Sequence, residues 1–330
     1  MIVAVISRKG GVGKTTSVVS LAGALARLGK SVLVVDLDAQ ASASLSLGVS
    51  RGDLAPSVHD VLFRGMPAAK AIRSTLTAKV DLLTASADLM HADVELAPLR
   101  NREAKLRDAL LPVASSYDWI LLDCPASFNT IAQCALIACD HFIVPAVPHY
   151  LAFDGIQPLL EAADRLAGRY GRTSGFLGVL LTMVDNRSKS ARAQATSLRE
   201  KLVDRVFDCE IPMNIRLAEA PESGQTIFAW FPQAAGAHAY RLAAVELLHR
   251  TGQEPKDETA PPIAAAAVAA PAPSATAPNP PILSPPPGIP AKPLAAAGPP
   301  AHLEPAPTPL ADSPGDLTAG PDLGPAPTVH

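Results

Sequence analysis

Long apolar runs, paired cysteines and late aromatic residues are all missing from this sequence, and each absence removes a class of protein. No stretch reaches the roughly 18 apolar residues of a membrane-spanning helix. The apolar run at residues 2–6 is too short for a secretory leader and leads straight into glycines. Cys124, Cys134, Cys139 and Cys209 lack C-x-x-C spacing, so neither a zinc site nor a secreted disulfide framework is expected. Buried thiols in a soluble cytoplasmic protein are the expectation. Beyond residue 254 there is no Phe, Tyr or Trp, whereas 22 of the 33 prolines fall there together with alanine runs such as 264–267. Such a segment buries too little apolar surface to offset its ordering entropy, so residues 255–330 are expected to form a disordered Pro/Ala-rich tail of polyproline II character. Strong net charge is lacking too. The tail sets two lysines against six carboxylates, so the formal charge of −3 on the chain leaves +1 on residues 1–254. A near-neutral body excludes no partner, and nucleic-acid contact would need a local patch.

What is present is a rhythm of short β-branched runs at 2–6, 32–35, 80–83, 119–122, 142–144 and 177–181, separated by helical patterns. Continuous apolar strands point to a parallel sheet covered on both faces. The first helix shows Val18, Leu21, Ala22, Leu25 and Leu28 at helical spacing, with Gly29 as its stop. No internal repeat or break divides the body. The expected architecture is one doubly wound α/β domain, mostly parallel with helices on both faces, over residues 1–254.

"GGVGKTT", residues 10–16, follows the first strand and opens the first helix, the context that a phosphate-binding loop requires. Glycines let the backbone aim several N–H groups at one phosphate, and the helix N-terminus adds partial positive charge. Lys14 is placed to neutralise β and γ phosphates, and the Thr15 hydroxyl to ligate Mg2+. Asp123 ends the strand "WILLD" at the sheet's carboxyl edge, where this class binds ligands. "VLVVDLD" brings Asp36 and Asp38 to the same edge, two residues apart and so on one side of an extended chain. Lys9, a second lysine in the same turn, exceeds what such a loop needs.

Taken together, "KGGVGKTT", "VLVVDLDAQ", "YDWILLDCPAS", "LLTMVDNR" and "IPMNIRLAEAP" resemble the ParA/MinD family of deviant Walker ATPases, in the family's order and across about residues 1–250. The resemblance is to ParA-type partition members without an N-terminal helix-turn-helix domain, since the first strand begins at residue 2. It implies a P-loop NTPase fold, ATP and Mg2+ as cofactors, and an ATP-dependent sandwich dimer in which Lys9 reaches the other subunit's nucleotide. It implies nucleotide contacts from Lys9, Gly10, Gly11, Val12, Gly13, Lys14, Thr15 and Thr16, with Met183 and Pro212 near the adenine. Asp38 is then the residue that positions or activates water, and Asp36 and Asp123 hold the metal through water. The family more usually has Asp-x-Asp-Pro-Gln-Gly-Asn where this chain has Ala39, Ala41 and Ser42, and a second proline where it has Ala126.

In ParA-type members late arginines bind DNA nonspecifically once ATP has closed the dimer. The matching positions are Arg187 and Arg216, with Lys189, Arg192, Arg199 and Lys201 around them. Such a patch would hold phosphate backbone without reading sequence. The implied protein is a positioning ATPase, nucleoid-associated when ATP-bound, that segregates a chromosome, plasmid or protein assembly. Its hydrolysis would be stimulated by a ParB-like or other cargo adaptor.

A MinD-like membrane ATPase would share the nucleotide site. Its relatives end in a basic amphipathic helix, whereas the last helical pattern here, residues 234–250, leads into proline and alanine, so no membrane partner is expected. An iron–sulfur reductase would need two suitably placed cysteines per subunit, a pattern that Cys134 and Cys139 do not match. A bacterial tyrosine kinase would carry tyrosines in the tail, which has none. The tail itself is expected to be a tether, with cargo adaptor as the second possibility.

Overall fold

The computed structural model describes residues 1–149, 152–173 and 175–254. The expected disordered tail lies outside the described residues. Among the described residues eight strands are present: β1 (Ile2–Val5), β2 (Val32–Asp36), β3 (Ile72–Ser74), β4 (Val80–Leu83), β5 (Trp119–Asp123), β6 (His141–Ala146), β7 (Phe176–Val184) and β8 (Val206–Pro212). They form one sheet in the order β3-β4-β2-β5-β1-β6-β7-β8. Only β3 runs antiparallel, against β4.

The sheet is covered on both faces because its interior strands carry apolar residues on both sides. Val3 and Val5 of β1 join one buried cluster with Val32, Val34, Trp119 and Leu121, against helix α1 (Lys14–Arg27) and the helix Ala235–Arg250. Ala4 and Ile6 join the other with Leu33, Val35, Ile120 and Leu122, against the helices Lys105–Ala114, Thr130–Ala138 and Ala152–Arg169. Successive residues therefore serve opposite cores, which is the two-residue period of a strand between two helical layers.

The six strands expected from β-branched runs all form. The periodic signal misses β3 and β8, the two edges of the sheet. β3 is only three residues long and part-exposed, and β8 interrupts its apolar residues with Asp208 and Glu210. An edge strand needs less apolar surface, so its sequence carries less pattern.

Topology places the ligand edge. β1 lies between β5 and β6, and β2 lies on the far side of β5, so the carboxyl ends of β1, β2, β5 and β6 adjoin.

Candidate active site

Beyond β1 the chain turns through the glycine loop into α1. Gly11 and Gly13 have φ of +71° and +81°, the left-handed region in which a Cβ is strained, so the turn needs glycine at both positions. Gly13 is the N-cap of α1 and supplies no side-chain cap to its first N–H groups. Thr182 Oγ1 donates to the Val12 carbonyl at 2.9 Å and so ties the loop to β7. The Val12 side chain is buried, which leaves its backbone to face a ligand.

Lys14 is buried, and its ammonium donates to the Lys9 carbonyl at 3.2 Å. Burial lowers its pKa from the ordinary lysine value, against the opposing pull of Asp123, Cys124 and Asp38. Thr15 Oγ1 donates to Asp123 Oδ2 at 2.7 Å.

Asp36 and Asp123 stand opposite each other in the parallel register of β2 and β5, and both are fully buried. Asp36 Oδ2 accepts from the Ser44 amide at 2.8 Å and hydroxyl at 2.7 Å, and Oδ1 accepts from the Asp38 amide at 3.2 Å. Burial still raises its pKa to about 6. Asp123 is raised as well, first by burial and then by the charge of Asp36. Its Oδ1 is buried with no hydrogen-bond partner among the described residues. A buried, unpartnered carboxylate oxygen beside a second acid and a threonine hydroxyl is an all-oxygen donor set, which fits a hard divalent cation such as Mg2+.

Asp38 lies just past β2 and is half-buried. Its Oδ1 accepts from the Gln40 amide at 3.0 Å, and its carbonyl accepts from the Ala41 amide at 2.8 Å. Ala41 starts helix α2 (Ser42–Ser46) with φ +56°, so the residue that departs from the family's glycine holds a left-handed backbone all the same.

Lys9 is exposed, and its Nζ meets Nε2 of His149, which follows β6 at the same edge of the sheet. Met183 has φ +52°, and its Cε lies 3.8 Å from where a Cβ on Gly13 would stand. Val184 pairs with Pro212 in the β7–β8 register, so Pro212 lies on the strand beside the one that carries Met183. Gly10 lies in the turn, and Thr16 lies in the first turn of α1.

The basic residues differ in what they already hold. Arg187 Nε lies 3.1 Å from Asp185, yet its side chain is 90% exposed. Arg216 pairs with Glu219 at 2.9 Å and lies 4.9 Å from the Phe231 ring centroid. Lys189 and Arg192 are exposed on the helix Lys189–Leu202. Arg199 departs from expectation. It donates to the carbonyls of Phe207 at 2.8 Å and Asp208 at 3.3 Å and pairs with Glu210 at 2.9 Å, which fastens its helix to β8 rather than offering a cation to solvent. Lys201 lies over the Phe153 ring at 4.9 Å.

Sequence reasoning missed Ser44, Thr182 and His149. Ser44 and Thr182 act through contacts distant in the chain and carry no motif. His149 had a usable signal, its place just after a strand whose carboxyl end belongs to the ligand edge. Among the described residues no helix is long and apolar enough to cross a membrane, and no cluster of three His, Cys, Asp or Glu forms a separate metal site.

A family model described as an AAA domain matches residues 1–173. The chain is similar to the sporulation initiation inhibitor protein Soj of Bacillus subtilis, with 36% identity over 247 residues that cover 74% of this chain and 97% of Soj. It is also similar to the chromosome partitioning protein ParA of Caulobacter vibrioides, with 34% identity over 251 residues, 76% of this chain and 94% of ParA. Among solved structures, cobyrinic acid a,c-diamide synthase from Mycobacterium smegmatis, with bound ATP analog and magnesium, superposes with a TM-score of 0.64 at 30% identity, covering 76% of this chain and 95% of that one.

Proposed function

This chain belongs to the ParA/MinD family of partition ATPases, and on that footing we propose that it is an Mg2+-dependent ATPase whose sandwich dimer binds DNA nonspecifically and positions a cargo. The supporting observation is the convergence of Lys9, Lys14, Thr15, Asp36, Asp38 and Asp123 from three separate segments on one edge of the sheet, around a loop bent by two left-handed glycines.

Within that site the loop amides from Gly10 to Thr16 cradle phosphate oxygens, and Lys14 exchanges the Lys9 carbonyl for a phosphate. Mg2+, when bound, neutralises charge on the β and γ phosphates. Thr15 would be its direct protein ligand, and Asp36 and Asp123 would hold it through water. Asp38 sits at the exposed side of this group and positions the attacking water. Met183 and Pro212 flank the adenine. Lys9 completes the other subunit's site and stabilises charge developing on the transferred group.

ATP thereby biases a dimerisation equilibrium, and the dimer joins two basic faces built from Arg187, Arg216, Lys189 and Arg192. Each face alone is weak, and two held together gain avidity on one duplex. A partner of the ParB type would speed hydrolysis and release the dimer, so the ATP-bound form would lie on the nucleoid. The cargo would be a chromosome, a plasmid or a protein assembly.

DNA co-sedimentation with ATP, ADP or no nucleotide tests this, for the natural chain and for Arg187→Glu with Arg216→Glu. ATP-dependent binding that falls at least about tenfold in the double variant, with a flatter salt dependence, is expected. Binding indifferent to nucleotide and to both substitutions would refute it. Liposome binding in the same assay would favour the membrane-associated alternative.

A further inference from the structure

Two lysines of the loop are held by their own subunit in series. Lys14 Nζ donates to the Lys9 carbonyl at 3.2 Å, and Lys9 Nζ meets His149 Nε2. His149 is anchored independently of its ring, since its carbonyl accepts from the Ala152 amide at 2.9 Å at the start of the helix Ala152–Arg169. The ring is therefore presented to Lys9 by a backbone that a side-chain substitution would leave in place. For the imidazole to accept from an ammonium, Nε2 must carry the lone pair and Nδ1 the proton.

We infer that His149 is a positioning residue that parks Lys9 on its own subunit, so that the lysine must leave the imidazole before it can serve a phosphate across the dimer. This rests on Lys9 acting in trans, as proposed above. The bond belongs to the separate subunit and is lost on dimerisation, so it opposes assembly by its own worth. An intramolecular hydrogen bond contributes about 0.5–1.5 kcal/mol net, and each dimer formed loses two of them, which makes the bias roughly fivefold to about 150-fold in the dimer dissociation constant. A latch of that size lowers the fraction of dimer formed at low protein concentration without forbidding it. The contact also keeps the Lys9 ammonium away from its own phosphate loop, where it would compete with Lys14.

A double-mutant cycle on ATP-dependent dimerisation tests the latch, with dissociation constants measured by analytical ultracentrifugation for the natural chain, His149→Ala, Lys9→Ala and the pair. His149→Ala, which removes both latches of the dimer, is expected to tighten it roughly fivefold to about 150-fold, and His149→Gln, which keeps an acceptor, to stay near the natural value. In the Lys9→Ala background the His149→Ala effect should vanish, an outcome that a merely structural histidine would not give. A weaker or unchanged dimer in His149→Ala, or an effect of the same size with Lys9 absent, would overturn the latch while leaving the trans role of Lys9 intact. If Lys9→Ala alone dimerises normally, the trans role itself fails and the latch falls with it.

Discussion

At the residue level, the site separates charges that bind from charges that wait. Lys9→Ala should leave the first nucleotide-binding step within about twofold and reduce ATP-driven dimerisation and turnover at least about tenfold, because a lost cation–phosphate contact is felt where charge develops. Fluorescent nucleotide titration set against single-turnover hydrolysis separates the two. Asp36 supplies a pH test. Its folded value is raised to about 6 from an ordinary 3.8 by burial, so the folded protein holds that proton more tightly than the unfolded chain does. Ionisation of this group therefore costs stability as pH rises from about 4 to above 6, by on the order of 3 kcal/mol for a fully buried carboxylate. Nucleotide-free protein unfolded by urea across that window should lose this stability, and Asp36→Asn should show a flatter profile. The two lysines and the glycine turn were legible because phosphate chemistry confines them to a short spacing beside a strand, and the acids because they stand at the ends of apolar strands. The contacts of Arg199 were not legible, because strand β8 comes within its reach only in the fold.

Among the elements, the helix Ala235–Arg250 is fixed by an ion pair as well as by its buried apolar face. Arg250 donates to the carbonyls of Leu177 at 3.0 Å, Asp204 at 3.0 Å and Val206 at 2.7 Å, pairs with Glu246 at 2.8 Å, and lies 4.5 Å from the Phe207 ring centroid. Buried Glu246 in turn accepts from the amides of Asp208 at 2.9 Å and Cys209 at 3.1 Å. One helical turn thus closes the edge of the sheet at β7 and β8. Arg250→Ala should destabilise the fold by about 2–4 kcal/mol, since several buried acceptors lose a charged donor. Arg250→Lys should recover little, because an ammonium cannot span carbonyls that a planar fork reaches together. Urea midpoints of the three proteins would decide it. Nothing in the sequence announced this clamp, as its partners lie between four and 73 residues away. The interior strands, by contrast, were readable from their apolar runs alone.

For the whole molecule, the division of labour between body and tail is a prediction. Removal of residues 255–330 should leave ATP hydrolysis and DNA binding within about twofold of the full chain, since every residue assigned to either lies before 254, and loss of either would assign the tail a direct part. The fold class and the ligand edge were legible because parallel order and strand-end chemistry are local signals. For the proposed assembly the one sequence signal is Lys9, a second lysine beyond what a phosphate loop needs. The strand order carries one more consequence, for the growing chain on the ribosome. β1 is synthesised first, yet its two neighbours are β5 and β6, so it gains the first only after residue 123 has emerged and the second only after residue 146. The glycine loop that β1 carries must wait exposed for both neighbours, and nucleotide can find a finished cradle only after them, as a seal on folding already done rather than a template for it.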